Sequence, residues 1–512
     1  VALDTQPFES RTSYDGLGRW TLKVLPDGTE RRRRYLRGGE LGSLTVTVGS
    51  TLMQTVLAEA RYDAFGRRAE ARLGNGVLVT HTWDPVTLQL LRSRAPGIQN
   101  VERVYDASGR QVRTRDLEQE PGSPNVLAGQ TVSSHHDHYY DTLYRLVRST
   151  GRYHRALQLD DHRADLVAEG TYRGTRHVND GGQVTRYQSS FDYDDGGNLT
   201  RIVHAPEAGH TGPTLTTYKW VSATSNRQLP AADRNGIPWS RPEDLFDREG
   251  RCLMLSHVDG IDWDVAGRLA TATVVRRAAG NHDDERYQYG VDGMRVRKVR
   301  RRLLDRDTGS TEITEVITVD GGELTRIRRD DQEPHIVRWT SHARNDDEQI
   351  LATLCHWQRD DNRDETSEGV DIEEEIRVRF ALTDPSGSVT HELTDTGGLI
   401  TYEEYFPYGR TGYVSGDLLL DVPRRELRYV GKTQDDATGL YYFQHRYYAP
   451  FIGNWMSPDP AGPVESVNLY QFVSGDPINR VDENGLCSFE ISVPGFRLAI
   501  GGDEGGVSGS VE

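Results

Sequence analysis

A short degenerate repeat constrains the fold of this chain more than any other feature of its sequence. Each copy has an aromatic residue, an aspartate, two variable residues, a glycine, and a basic or amide residue. The good copies begin at Tyr14, Tyr62, Tyr105, Tyr193, Phe246 and Trp263, and looser copies begin at Tyr140, Tyr289 and Tyr405. An element that recurs every few tens of residues indicates an array of similar units, which stack on one another to bury apolar surface.

Each copy predicts a strand, a tight turn and a second strand. In the copy at residues 105–110, the carboxylate of Asp106 is suited to accept backbone N–H groups within the turn. Gly109 supplies the positive φ angle that such a turn needs. The residues that follow, 111–115, alternate in the period-2 pattern of a strand. We therefore expect the repeated aspartates to be turn residues rather than catalysts.

The composition fits a thin, wetted sheet better than a solid globule. Only 35% of the 512 residues are hydrophobic, whereas the chain contains 52 glycines and 24 tyrosines. Low apolar content alone is typical of disorder. The tyrosines and the regular turn signals favour instead a sheet with water on both faces, and so a hollow shell.

Charge and cysteine content exclude several functions. A net charge of −17 argues against a general nucleic-acid binder, and we interpret the basic runs 31–34 and 295–302 as solvated strands or loops. Cys252, Cys355 and Cys487 lie too far apart for a disulfide framework or a zinc motif. We find no apolar run of membrane-spanning length and no secretory signal peptide. The first residue is a valine, which is consistent with a processed or excised piece.

Two polar segments resemble metal sites at first sight. In the segment 135–138, which reads His-His-Asp-His, only His136 and His138 would share one face of a strand. No partner cluster is apparent, so we expect no metal site and no cofactor. We interpret the acidic run 360–375 as an exposed loop.

The repeats resemble those of the RHS or YD-repeat family over roughly residues 10–486. The resemblance implies an all-β fold, in which long antiparallel strand-turn-strand repeats spiral into a hollow shell plugged by a C-terminal core domain. We expect the repeat shell at residues 1–381, an RHS-associated core at 382–486, and the stub of a variable toxin region at 487–512. Family shells usually contain more residues than this chain, so a partner chain or a further N-terminal segment is expected to complete the shell.

The stretch 428–486 carries the most specific part of the resemblance. It is dense in aromatic residues, glycines and prolines, and it matches the signature of the RHS-associated core up to its final Gly-Leu pair. Glu483 stands where the family usually has a proline, which removes no charged group from the segment. The stretch most resembles the C components of insecticidal toxin complexes, in which the core is an autoprotease that cuts directly after the Gly-Leu pair.

Carried over by position, the resemblance implies a cut between Leu486 and Cys487. It also implies an aspartyl pair, Asp459 and Asp482, with Arg446 nearby. The chemistry is consistent, because two close carboxylates do not easily both ionise, so one acts as base while the other acts as acid. One turnover is sufficient. The alternative is that both aspartates are turn residues and that the arginine is a buried structural partner.

Our leading hypothesis is a shell-forming toxin component that encapsulates a C-terminal cytotoxic effector and releases it by self-cleavage. The implied partners are a second RHS-repeat protein (a B component), or a further N-terminal shell segment, and the enclosed effector polypeptide. We expect a secreted, extracellular toxin. Two alternatives remain open: a non-proteolytic cell-surface YD-repeat protein for adhesion or contact, and the shell of a contact-dependent or type VI RHS effector.

Overall fold

The computed structural model describes residues 8–49, 52–155, 157, 180–233, 235–278, 280–361, 375–416, 427–464 and 466–491. Within these residues, antiparallel β-strands form two large and two small sheets. The predicted acidic loop at 360–375 lies mostly outside the described part of the chain. No helix in that part is both long and apolar enough to cross a membrane.

The first large sheet has 16 strands, each paired with the next along the chain. They are β1 (Arg11–Tyr14), β2 (Trp20–Val24), β3 (Glu30–Tyr35), β4 (Leu41–Val48), β5 (Leu52–Tyr62), β6 (Arg68–Leu73), β7 (Leu78–Trp83), β8 (Leu90–Ala95), β9 (Gln99–Tyr105), β10 (Gln111–Asp116), β11 (His136–Tyr140), β12 (Leu146–His154), β13 (Val184–Tyr193), β14 (Leu199–Pro206), β15 (Leu215–Val221) and β16 (Gln228–Pro230).

The second large sheet has 12 strands in the same sequential order. They are β17 (Gly260–Trp263), β18 (Leu269–Val275), β19 (Asp283–Tyr289), β20 (Arg295–Leu303), β21 (Thr311–Val319), β22 (Gly322–Arg329), β23 (Ile336–Arg344), β24 (Ile350–Asp360), β25 (Glu375–Thr383), β26 (Val389–Leu393), β27 (Leu399–Tyr405) and β28 (Thr411–Gly416).

The C-terminal part contains the small sheets. One consists of β29 (Thr433–Gln434), β30 (Tyr441–Tyr442), β31 (Tyr447–Ala449) and β32 (Asn454–Trp455), and the other of β33 (Arg480–Asp482) and β34 (Ser488–Glu490). Short 3-10 helices lie at Leu117–Gln119, Leu127–Gly129, Gly181–Gln183, Pro242–Leu245, Tyr429–Gly431 and Val473–Gly475. The expected boundary between residues 381 and 382 falls within β25, and the second large sheet continues to Gly416.

The two large sheets enclose internal space. Apolar residues of the first sheet, such as Leu44 and Leu57, share one buried cluster with Leu354 and Phe380 of the second. Elsewhere, cavities lined by residues of both sheets lie between them. Neither sheet closes into a barrel within the described residues. The predicted all-β fold of antiparallel repeats around a hollow interior is confirmed.

The turn geometry of the repeats also matches the prediction. The Oδ1 atom of Asp106 accepts the backbone N–H groups of Ser108 at 2.9 Å and of Arg110 at 3.0 Å. Gly109 has a φ angle of 87°. The carboxylate thus satisfies the N–H groups of its own turn, which confirms that this aspartate is a turn residue.

In six of the copies, the aromatic residue is a tyrosine whose hydroxyl donates to a carbonyl of the preceding repeat, a contact that the pattern alone did not reveal. The hydroxyl of Tyr105 donates to the carbonyl of Leu90 at 2.9 Å. The equivalent pairs are Tyr35 with Trp20, Tyr62 with Leu41, Tyr140 with Gln111, Tyr193 with Leu146, Tyr289 with Leu269 and Tyr405 with Val389. These repeats are therefore joined to their neighbours by a specific hydrogen bond as well as by strand pairing.

Substitution of a turn glycine tests the backbone requirement. Gly66 has a φ angle of +73° and no atom within 4 Å of an added Cβ, so the cost of Gly66→Ala is conformational rather than steric. We expect the free energy of unfolding to fall by about 1 kcal/mol, measured by denaturant titration. Gly16→Ala is the matched control, because Gly16 occupies a repeat turn with equal space but without a positive φ angle. An equal loss in both variants would contradict this explanation.

Both basic runs differ in part from the prediction of solvated strands or loops. In the run 295–302, Arg295 and Lys298 pair with the buried carboxylate of Asp435. Residues 31–34 do form part of a strand, β3, but Arg31 and Arg33 are each only 8% exposed. Arg31 donates to the carbonyl of Gly321, and Arg33 pairs with Asp346 at 3.1 Å, so both cross to the second sheet. The interpretation of the whole run as solvated was wrong, because alternate arginines of the strand face the opposite sheet.

The histidine-rich segment also lies between the sheets. The rings of His136 and His138 stack with centroids 6.5 Å apart, so these two residues share a face. The Nε2 atom of His136 lies 3.4 Å from the carboxylate of Glu404 in the second sheet. Among the described residues, no group of three or more side chains is arranged to hold a metal ion.

The C-terminal segment packs against both large sheets. Tyr448 and Phe472 stack with ring centroids 4.0 Å apart and share a buried cluster with Phe191 of the first sheet and Tyr408 of the second. A separate cluster joins residues 440–456 to the strands β16 to β19. The aromatic residues of this stretch thus form a core that packs against both large sheets and supports the loops of the small sheets.

Candidate functional site

The structure brings the three predicted site residues together. The Nη2 atom of Arg446 lies 2.8 Å from Oδ2 of Asp459 and 3.5 Å from Oδ2 of Asp482. Both carboxylates therefore approach one nitrogen atom. Asp482 ends strand β33, whereas Arg446 and Asp459 lie in loops on either side of the β31–β32 hairpin.

Arg446 is held from several sides. Its side chain is 4% exposed, and its Cζ atom lies 4.1 Å from the centroid of the Trp455 ring. Its Nη1 atom donates to the carbonyl of Leu469 at 3.2 Å. A buried guanidinium is stable only when its donors and its charge are satisfied, and its planar shape allows it to address several acceptors at once. Contacts with Trp455 and Leu469 thus hold the side chain of Arg446 in addition to the two carboxylates.

The two carboxylates use their other oxygens on their own loops. Oδ1 of Asp482 accepts the N–H groups of Gly485 at 2.7 Å and of Asn484 at 3.1 Å. Oδ1 of Asp459 accepts the N–H group of Ala461 at 2.8 Å. Both aspartates are therefore turn residues and, at the same time, members of the pair. The two interpretations made from sequence are both compatible with this geometry.

Burial and the charge of Arg446 shift the pKa of Asp459 in opposite directions. Its side chain is 13% exposed, and removal from water raises the pKa of its carboxyl above the usual value, although the charge of Arg446 opposes the rise. A carboxyl with a raised pKa holds its proton more readily than a free aspartate. This is the property that one member of an acid–base pair requires.

The predicted scissile bond lies in a tight hairpin formed by β33 and β34. Asp482 is directly opposite Ser488, so Leu486 and Cys487 lie in the loop that returns toward the aspartate. The turn signal Pro494-Gly495 predicts that residues 488–493 pair with residues 496–500. Residues 488–490 pair with β33. Residues 492–500 lie outside the described part of the chain, so this second hairpin stays a prediction.

Three consecutive carbonyls of this loop accept hydrogen bonds from the core. The carbonyl of Glu483 accepts from Nζ of Lys432 at 2.5 Å, and that of Asn484 accepts from the backbone N–H of His445 at 3.1 Å. The carbonyl of Gly485, one peptide before the predicted cut, accepts from Nε of Arg446. Sequence reasoning did not assign the contact of Lys432, although this lysine belongs to the Gly-Lys pair of the core signature.

Gly485 is required by the shape of the loop. Its φ angle is +82°, and a Cβ atom at this position would lie 2.9 Å from the carbonyl oxygen of Phe443 and 3.1 Å from the backbone nitrogen of Arg446. Both neighbours are backbone atoms, which cannot move aside easily. The loop therefore packs so closely against the core that only glycine fits at position 485.

The comparisons with known proteins agree with the fold. No family model matches the chain. Toxin subunit YenC1 of Yersinia entomophaga is 28% identical over 507 residues, which cover 96% of this chain and 48% of that protein. Double-stranded DNA deaminase toxin A of Burkholderia cenocepacia (strain H111) is 30% identical over 125 residues, 23% of this chain and 9% of that protein.

The crystal structure of TcdB2-TccC3 without its hypervariable C-terminal region is similar to this chain, with a TM-score of 0.82 and 26% identity. The match covers 94% of this chain and 22% of that one. The chain spans about half the length of the curated toxin subunits that it matches along its whole length. The predicted resemblance to RHS-type toxin-complex subunits is confirmed by these similarities.

Proposed function

We propose that this chain, which is similar over nearly its whole length to toxin-complex subunits, forms part of a toxin shell and cuts itself after Leu486. The observation that carries the proposal is the convergence of Asp459 and Asp482 on one nitrogen of Arg446, beside the hairpin that contains Leu486 and Cys487. A buried carboxylate pair next to a fixed peptide loop is suited to amide hydrolysis.

In this mechanism one carboxylate removes a proton from water, and the resulting hydroxide attacks the carbonyl carbon of Leu486. The other carboxyl, still protonated, donates to the carbonyl oxygen. Collapse of the tetrahedral intermediate breaks the C–N bond. The carboxyl that took the proton from water passes it to the nitrogen of Cys487, which leaves as an amine, and the proton on the former carbonyl oxygen returns to the other carboxylate. The pair titrates as a unit, so neither aspartate is assigned alone as acid or base. The bond and the pair belong to one chain, which makes the reaction intramolecular.

The course of the chain after the proposed cut supports encapsulation. Phe489 and Ile491 line a cavity between the sheets, together with Trp83 of the first sheet and Leu351 of the second. The described residues beyond Leu486 thus reach the cavity between the sheets. We infer an enclosed C-terminal effector, a secreted toxin, and a second RHS-repeat protein that completes the shell.

Self-cleavage is tested directly by intact-mass measurement and N-terminal sequencing of the purified chain. We expect the 57.6 kDa chain to separate under denaturing conditions into a large fragment that ends at Leu486 and a small one that begins at Cys487. A wild-type chain that stays whole would contradict the proposed reaction and would favour a non-proteolytic adhesion protein. Co-purification with a second RHS-repeat protein would test the proposed partner separately.

A further inference from the structure

The loop before the proposed cut is bound by the core much as a protease binds a substrate strand. Its carbonyls at positions 483, 484 and 485 each accept a hydrogen bond from a different group of the core. Two of these groups have an evident reason to be there. Arg446 belongs to the site, and His445 contributes only its backbone N–H. The third group, the side chain of Lys432, has no role in the proposed mechanism.

Lys432 is placed by an unusual turn. It directly follows the 3-10 helix Tyr429–Gly431, in which Val430 and Gly431 both have positive φ angles of 52° and 62°. Its backbone N–H donates to the carbonyl of Tyr429, and its ammonium lies 5.6 Å from the centroid of the Phe443 ring. The strained backbone at residues 430–431 and the ring of Phe443 therefore orient the side chain of Lys432 toward the carbonyl of Glu483.

We propose that Lys432 is a positioning residue for self-cleavage, which holds the Glu483 carbonyl and so fixes the loop against the aspartyl pair. The inference rests on the proposed function and adds to it a group outside the pair. Asp482 and the Glu483 carbonyl are adjacent in the chain. An ammonium that holds this carbonyl limits rotation of the residue that carries one of the two carboxylates.

Lys432 loses its charge within the pH range in which cleavage can be measured. Burial, with a contribution from Arg344, lowers the pKa of Lys432 to about 8. Glu483 and Asp482 of the hairpin, and Glu348 of the β23–β24 turn, act in the opposite direction. When the pH rises through about 8, the ammonium loses its proton and becomes a weaker donor to the carbonyl. The rate of self-cleavage should therefore fall on the alkaline side.

The test follows cleavage of newly made full-length chain in a cell-free translation reaction. Synthesis is stopped, aliquots are moved to pH values between 6 and 10, and the cleaved fraction is measured over time. Lys432→Met is expected to slow cleavage roughly 10- to 100-fold at pH 7, as loss of a charge-assisted hydrogen bond predicts. Lys219→Met is the matched control, because Lys219 is also buried but donates to Asn454 and Gln228, away from the hairpin.

Lys432→Arg separates positioning from folding. Loss of the proton shared by the aspartyl pair slows both chains at high pH, so the readout is the ratio of the two rates. Arginine keeps its charge to high pH, so Lys432→Arg should cleave at neutral pH and become faster relative to the wild type as the pH rises through about 8. A wild-type rate in Lys432→Met, or a ratio of the Lys432→Arg rate to the wild-type rate that stays constant between pH 6 and 10, would overturn the inference. If Lys432→Met does not fold, the profile of Lys432→Arg decides. A wild-type chain that never cleaves contradicts the proposed function itself, which is a distinguishable result.

Discussion

Asp482→Asn is expected to leave the purified chain whole, with self-cleavage slowed roughly a thousandfold or more. Asparagine has nearly the same shape, and its oxygen still accepts the N–H groups of Asn484 and Gly485 that Asp482 binds. The amide cannot act as a general base or a general acid near neutral pH, so the chemistry is removed while the turn is kept. Intact mass after purification, and the rate of fragment release after cell-free synthesis, measure the effect.

The control for this experiment is Asp476→Asn. Asp476 is a second buried aspartate of the same core, and it pairs with Arg110 at 2.8 Å rather than with Arg446. Its loss should lower stability but leave the cut between Leu486 and Cys487 in place. If Asp476→Asn blocks cleavage as fully as Asp482→Asn, the effect comes from damage to the core and the assigned pair is wrong.

The sequence predicts the parts of this molecule that depend on local geometry or on a specific signature. A turn such as 106–110 can be predicted because its hydrogen bonds, from the backbone N–H groups to the aspartate, form within a few residues. The convergence of Asp459, Asp482 and Arg446 came from the resemblance to the core signature, since spacing alone left a purely structural role open. Catalysis by the pair stays a prediction.

Contacts between residues far apart in the chain could not be predicted from the sequence. Arg31 contacts Ser341, which lies 310 positions further along the chain, so the local sequence does not show which surface the alternate arginines of this strand face. By contrast, the hairpin at residues 480–490 turns at Asn484-Gly485, a typical turn signal that the local sequence provides.

Arg446→Met is expected to abolish self-cleavage and to lower the free energy of unfolding by about 3–5 kcal/mol near neutral pH. Methionine fills similar volume beside Trp455, so the loss is electrostatic more than steric. Without the guanidinium, two carboxylates are left close together in a poorly hydrated site. Thermal and denaturant unfolding of the purified variant measure the loss of stability, and intact mass measures cleavage.

The pH dependence of this loss identifies its cause. Arg446 opposes the rise in the pKa of Asp459 that burial causes, so its removal raises that pKa further. A carboxyl whose pKa is higher in the folded than in the unfolded state stabilises the fold at low pH and loses that contribution as the pH rises through the folded value. The deficit of Arg446→Met should therefore be smaller at pH 5 than at pH 8.

A double variant separates stability from chemistry. Arg446→Met with Asp459→Asn removes one of the two unpaired charges, so it should recover part of the lost stability at pH 8 while the chain still stays whole. The carboxylate of Asp482 keeps its backbone hydrogen bonds to the loop in both variants. A stability deficit that is equal at pH 5 and pH 8, or no recovery in the double variant, would mean that Arg446 acts through packing rather than as the shared cation of the pair.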